Sequence, residues 1–310
     1  MTQPLMDRLP QIEGTYEGSV SLADMTWFRV GGPAEVLFKP ANEDDLVHFL
    51  QNRPADVPVC VIGVGSNLLV RDGGISGVVI KLSKGFSGYR MDGEVLHAGA
   101  ATPDMKIALS MKDEGIAGLE FLRGVPGTLG GAIRMNAGAY GSEIKDVFVA
   151  CFAVDMAGER HLFGPDDVKF SYRHSDIPEG WIITRIALQG RADDPAAIGD
   201  RMTDIADARD QSQPTKSRTG GSTFKNPAKN VTSQKAWELI DQAGCRGLVI
   251  GDAQVSKQHC NFLINLGNAT ASDLEQLGEE VQRRVKEISG IELEWEIRIV
   301  GNRAPEQVAA

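Results

Sequence analysis

Hydrophobic positions along this 310-residue chain change period several times, and the changes mark out its elements. Between about residues 20 and 85, short β-like runs surround a single helix. AEVLFKP reads as a strand, and Asn42 stands where it would cap a helix with Leu46, Phe49 and Leu50 on one face. VPVCVIGVG and GVVIKL then read as buried strands. In the next region, to about residue 195, Thr102 at a cap position and Pro103 in the first turn predict a helix that Gly115 stops. A glycine-rich stretch follows, and FVACFAV and WIITRIAL read as strands.

A helical stretch over residues 195–210 leads into QSQPTKSRTGG, the best boundary signal in the chain. Beyond it, Ser272 and Glu275 have capping-box spacing and open a helix with Leu274, Leu277, Val281, Val285 and Ile288 on one face. Gly290 ends that helix, and IELEWEIRIV alternates strictly, as a strand does. Helices and strands mixed without a regular βαβ march predict an α+β fold, divided at 1–85, 86–200 and 201–310.

Composition narrows the function classes. Hydrophobic residues make up 42% and charged residues 24%, as in ordinary globular chains. The net charge of -10, spread along the chain, argues against nucleic acid or an anionic membrane as partner, since both need a basic face. A small anionic ligand remains compatible. The first 18 residues lack a signal-peptide pattern, and no apolar stretch reaches the roughly 18 residues of a membrane span, so a cytoplasmic protein is expected. Cys60, Cys151, Cys245 and Cys260 are far apart and read as buried thiols. His48, His97, His161 and His174 show no metal-ligand spacing, and no metal is expected. There is no internal repeat, and only the tail after Gly301 is of low complexity.

Two glycine loops carry the candidate chemistry. VIGVGSNLLVRDGG begins like a dinucleotide-binding turn, with Gly63 and Gly65 after a strand. The third glycine of that pattern would fall at Leu68, and Gly73-Gly74 would break the helix, so a Rossmann turn is ruled out. The loop reads as a tight turn or as a phosphate cradle in which backbone N–H groups, Ser66 and Asn67 surround one anion. RGVPGTLGGAIRMNAGAYG reads as a close-packed crossing, or as a helix start at Thr128 facing a pyrophosphate. Both loops in one acidic chain favour a large cofactor carrying a diphosphate.

GVGSNLLVRDGGISGVVI and FLRGVPGTLGGAIRMNAGAYGSEI resemble the FAD-binding segments of the UDP-N-acetylenolpyruvoylglucosamine reductases, a family of the vanillyl-alcohol-oxidase-like flavoprotein fold. The likeness extends through MTWFRVGGPAEVLFKP, FSYRHS, GSTFKNP, LIDQAGCRGLVIGDAQVSKQHCNFLIN and LEWEIRIVG, in family order over residues 20–301. The glycine loops are common to the wider superfamily; the later motifs belong to the reductases. The resemblance implies a two-part FAD-binding region followed by a C-terminal α+β substrate domain. It implies non-covalent FAD held by Gly63, Gly65, Ser66, Asn67, Leu68, Leu69, Gly124, Pro126, Gly127, Thr128, Gly130 and Gly131. NADPH is the implied co-substrate and UDP-N-acetylglucosamine enolpyruvate the implied substrate, reduced to UDP-N-acetylmuramate for peptidoglycan, with no obligatory protein partner.

Carried over singly, the family's three catalytic residues fall on Arg173 in the Tyr-Arg-x-Ser motif, Ser222 in GSTFKNP and Glu296 in the terminal Glu-x-Arg. Tyr140, Lys225, Asn226 and His259 are the implied substrate contacts. Read without the resemblance, these are a surface arginine, a turn serine and one residue of a solvated strand face. The implied chemistry suits them: flavin N5 gives hydride to C3 of the enolpyruvyl group, charge develops at C2, and Ser222 returns a proton there. A guanidinium fork is matched to the carboxylate that shares the charge. With Arg173 in the second region and Ser222 and Glu296 in the third, substrate is expected to complete the site.

Two departures from the family pattern stand out. Only 48 residues separate Arg173 from Ser222, which matches the family's shorter second type, without a tyrosine-bearing loop. His259 stands where some members carry Gln. Another flavin oxidase would share the loops without needing GSTFKNP or Glu-x-Arg, and a non-catalytic sensor would be expected to lack one of the three catalytic residues.

Overall fold

The computed structural model of the chain describes residues 4–304; residues 1–3 and 305–310, which include most of the tail after Gly301, lie outside the described residues. Six α-helices occur among the described residues: α1 (Glu43–Asn52), α2 (Asp104–Asp113), α3 (Leu129–Arg134), α4 (Pro195–Ser212), α5 (Ala236–Gln242) and α6 (Ala271–Ser289). The chain divides into two compact units with interleaved segments. One holds the residues up to Gly18, Val36–Gly63 and Gly77–Arg209; the other holds Ser19–Glu35, Val64–Ser76 and the residues from Asp210 onward.

Two sheets organise the first unit. Strands Thr15–Ser21, Pro33–Lys39, Ile75–Lys81 and Val59–Ile62 lie side by side in that order, and most of this sheet belongs to the unit. Helix α1 closes its core, with Phe38 and Phe49 in ring contact at 4.6 Å and Leu46 and Ile80 fully buried. Asn42 caps α1 by accepting from Asp45 N at 2.8 Å, as its place before the apolar run predicts. The second sheet is antiparallel in the order Arg160–Phe163, Phe148–Val154, Ile182–Gln189, Val95–Gly99, Tyr89–Asp92. Its core includes Ile107 and Met111 of α2 and Leu129 and Ile133 of α3, so the helix before the glycine-rich stretch and the short helix within it are both anchored by buried apolar side chains.

In the second unit, α5 and α6 share a core through Leu239, Ile240, Leu274, Leu277, Val281 and Val285. A three-stranded sheet, Val249–Ile250, Ala253–Val255 and Leu263–Asn265, contacts α6. Strand Arg298–Val300 pairs in parallel with Leu68–Val70, which places the first glycine loop beside the chain's C-terminal strand.

Several expectations need correction. Pro103, not Thr102, occupies the N-cap of α2, because the Thr102 hydroxyl is engaged with Gly88 N and O at 3.0 and 3.1 Å. The capping box of α6 is Thr270 with Asp273, not Ser272 with Glu275; Glu275 turns inward to an arginine. Ile288 at the end of the apolar stripe is 63% exposed. Of IELEWEIRIV, only Arg298–Val300 forms a strand, since the earlier part meets its neighbour at one bridge, Phe224 with Trp295. The parallel pairing of residues 68–70 with 298–300 draws an N-terminal segment into the C-terminal unit, and local periodicity carries no record of that pairing.

Candidate active site

In the second unit, backbone hydrogen bonds gather the GSTFKNP segment and the terminal Glu-x-Arg. Gly220 lies against Phe28, where a Cβ would stand 2.3 Å from the ring, and Gly221 has φ +81°; both positions require glycine and set the path into Ser222. Ser222 makes an antiparallel bridge with Phe262. The next residue, Thr223, donates its N–H to Asn261 O at 2.7 Å and accepts from Glu296 N at 2.8 Å. Ser222 and Glu296 are therefore held together through the Thr223 peptide. Lys225 N donates to Glu294 O at 2.8 Å, and the Lys225 ammonium meets the Glu294 carboxylate at 3.4 Å. Beneath them Phe224 and Trp295 stack at 4.9 Å.

His259 lies beside this segment, with its ring 4.8 Å from that of Phe262 and 6.4 Å from that of Trp237. Its Nδ1 accepts from Asn261 N at 3.2 Å, which leaves the proton of the neutral ring on Nε2. Burial lowers its pKa, with Arg246 and Lys235 acting in the same direction, so the neutral form is favoured. Asn226 accepts from Ala236 N at 3.0 Å at the start of α5.

In the first unit, Arg173 is the second residue of a two-residue turn between Phe170–Ser171 and His174–Ser175. Its φ is +56°, a left-handed conformation that costs a non-glycine residue about 1–2 kcal/mol. Its guanidinium carbon lies 5.1 Å from the Tyr172 ring centroid. Tyr140, also left-handed at φ +53° and 47% exposed, rests against Gly124, where a Cβ would come within 2.8 Å of the ring.

The glycine loops sort into positions the protein itself requires and positions it leaves open. A Cβ on Gly65 would meet Met25 O at 2.2 Å, and one on Gly130 would meet the Ala100 Cβ at 3.0 Å. Gly127 needs its φ of +155°. By contrast, nothing lies within 4 Å of a Cβ on Gly131, and one on Gly63 would stand 3.4 Å from Thr128 Oγ1. The first loop thus reaches the second at Gly63 and Thr128, and a ligand can approach the bare backbone at Gly131. These features fit a diphosphate-bearing cofactor such as FAD. The Leu69 side chain is wholly buried in the core, so only its backbone is available to a ligand. No group of His, Cys, Asp or Glu among the described residues is arranged to hold a metal ion, and none of the four cysteines forms a disulfide; three are buried and Cys60 is partly so.

Known proteins are similar to this chain in sequence and in fold. A family of FAD binding domains matches residues 34–164, and the family described as UDP-N-acetylenolpyruvoylglucosamine reductase, C-terminal domain, matches residues 213–300. The first match, together with the open glycine backbone, defines a flavoprotein. UDP-N-acetylenolpyruvoylglucosamine reductase of Paramagnetospirillum magneticum is 56% identical over 96% of this chain and 95% of its own length. The enzyme of that name from Rhodospirillum rubrum is 56% identical over 96% and 94%. The crystal structure of the Thermus caldophilus enzyme superposes with a TM-score of 0.80 at 36% identity, covering 92% of this chain and 99% of that one. The chain belongs to the UDP-N-acetylenolpyruvoylglucosamine reductase family.

Sequence reasoning overlooked the residues that brace this geometry. Asn261 bonds Phe224 N and O through its side chain and Thr223 N through its backbone, yet it reads as one polar residue in an apolar run. Arg71 grips Glu275 of α6 with two nitrogens at 2.9 and 2.8 Å. Asp104 is fully buried at the start of α2, and neither carboxylate oxygen has a hydrogen-bond partner. Burial raises its pKa well above the ordinary carboxylate range. Asn136 is also fully buried, and a polar residue between an apolar helix and a glycine run was the available signal for it.

Proposed function

We propose that Ser222 is the proton donor, Glu296 its partner and Arg173 the carboxylate anchor in the reduction of UDP-N-acetylglucosamine enolpyruvate to UDP-N-acetylmuramate. The chain is an FAD-containing oxidoreductase of peptidoglycan precursor synthesis, with NADPH as electron donor. When bound, FAD carries hydride from NADPH to C3 of the enolpyruvyl group. The protein's own residues have the complementary tasks. Arg173 offers a planar, permanently charged fork to the substrate carboxylate as negative charge spreads into it from C2. Ser222 gives its hydroxyl proton to C2, and Glu296, joined to it through the Thr223 peptide, orients the exchange.

The observation that supports this reading is the 2.8 Å hydrogen bond from Glu296 N to Thr223 O, which holds the Glu296 backbone against the residue that follows Ser222, within one unit. Tyr140, Asn226 and His259 serve the nucleotide part of the substrate in the same proposal, and Lys225 is a substrate contact and the cation beside Ser222. His259 fits as a neutral donor through Nε2–H. We place the reaction in the cytoplasm and without an obligatory protein partner; the net charge of -10 supports a small-molecule role, and no helix among the described residues is long and apolar enough to cross a membrane. Ser222→Ala is the test. FAD should stay bound and be reduced by NADPH, while product formation slows by roughly 10²–10⁴-fold, the usual reach of a positioned proton donor. Unchanged turnover would remove Ser222 from the mechanism.

A further inference from the structure

We infer that Asn136 is a positioning residue for Arg173, fixing the arginine turn to the end of α3 and so to the flavin-binding segment that opens the same helix. The inference rests on Arg173 as carboxylate anchor. Asn136 comes just after Met135, the C-cap of α3, is fully buried and has φ +38°, another left-handed position without glycine. Its side-chain amide donates to Ser171 O at 3.1 Å, in the strand that enters the Arg173 turn. Its side-chain oxygen accepts from Lys145 N at 3.0 Å. Two residues earlier, Arg134 O accepts from the Ser175 hydroxyl at 3.1 Å, in the strand that leaves the turn. The Arg134 guanidinium holds the chain beyond, donating to Ile177 O at 2.6 Å and to Trp181 O.

Both arms of the Arg173 turn are therefore fastened to the 134–136 segment. That segment ends a helix only six residues long whose N-cap is Thr128. The left-handed Arg173 is strained, and strain of this kind persists where surroundings over-determine a functional conformation. Asn136 is suited to the task because it needs both an amide donor and an oxygen acceptor in a site that water does not reach. A shift of about 1 Å in the guanidinium would be expected to cost on the order of 100-fold in rate.

The test compares Asn136→Ala, Arg173→Ala and the double variant, each loaded with FAD, in separate half-reactions. Reduction of the flavin by NADPH should be unchanged in Asn136→Ala, whereas reoxidation by the enolpyruvyl substrate slows by roughly 10–100-fold. The double variant should be no slower than Arg173→Ala alone, because Asn136 acts through the arginine. Reoxidation at the parent rate would overturn the proposal, as would loss of FAD, equal slowing of both half-reactions, or multiplicative losses in the double variant. If Asn136→Ala does not fold, Asn136→Asp keeps the acceptor for Lys145 N and removes the donor to Ser171 O, and the same outcomes decide. Parent rates in Arg173→Ala would instead remove the arginine's assignment, and the role of Asn136 with it; a slow Arg173→Ala beside a fast Asn136→Ala rejects the positioning role alone.

Discussion

The side-chain amide of Asn67 donates to the backbone carbonyl of Glu296 at 3.1 Å, and the Asn67 carbonyl accepts from Arg298 N at 3.0 Å. One residue of the first glycine loop thus bonds both sides of the Glu-x-Arg motif, and the strand pairing Leu68–Val70 with Arg298–Val300 continues from there. Asn67→Ala should lower stability by about 1 kcal/mol, the net value of a typical hydrogen bond. It should also slow reoxidation of the flavin by substrate more than reduction by NADPH. Stopped-flow measurement of the two half-reactions checks this; equal effects on both would mean that Asn67 serves the cofactor alone.

Gly278 in α6 lies under the Trp295 ring, and a Cβ there would come within 1.9 Å of it. At an exposed helix position, Gly→Ala stabilises by about 1 kcal/mol. Here the sign should reverse. Gly278→Ala displaces Trp295, the neighbour of Glu296, and is expected to destabilise by about 1–3 kcal/mol, the usual range for overpacking. A urea titration reads the sign directly.

Glu275 is held by Arg71 and Arg303, whose hydrogen bonds keep its carboxyl below the ordinary range despite burial. Glu275→Ala should destabilise by about 2–3 kcal/mol, less than a fully buried pair because Arg71 is partly exposed. A lowered folded-state pKa contributes stability that is present above the ordinary carboxylate range and lost as pH falls through the lowered value. The parent should therefore lose part of its advantage over the variant in acid, which denaturation midpoints at pH 7 and pH 3 would show.

Asp104 has the opposite sign. Its carboxyl is favoured neutral in the folded protein, so its effect on stability is least unfavourable below the ordinary carboxylate range. As pH rises from there to the raised value, the unfolded state gives up its proton while the folded state keeps it, and stability falls. Asp104→Asn keeps the shape and removes the titration, so the difference between parent and variant should grow with pH across that window. A constant difference from pH 4 to pH 9 would contradict the assignment.

Much of the fold was legible because its signals are local. Asn42 before an apolar stripe, Gly290 after one and the run FVACFAV each specify an element within a few residues, and each forms. The failures share a cause in distant partners. Thr102 was lost as a cap to Gly88, Glu275 left the capping box for Arg71, and most of IELEWEIRIV lacked a second strand to pair with. At the proposed site, Ser222, Glu296 and Arg173 are assigned by motif resemblance, since alone each reads as an ordinary polar residue. Asn261 and Asn136 stayed hidden because buried polar residues reveal their purpose only through hydrogen bonds that sequence spacing does not encode, and spacing is equally silent on the burial that leaves the Asp104 carboxyl without a partner.

The central claim is that this chain passes electrons from NADPH through FAD to an enolpyruvyl sugar nucleotide. An anaerobic absorbance titration of the FAD-loaded protein tests it most directly. NADPH should bleach the flavin band, and UDP-N-acetylglucosamine enolpyruvate should then restore it with formation of UDP-N-acetylmuramate. Flavin that bleaches but is not reoxidised by that substrate, or protein that does not take up FAD, would contradict the account.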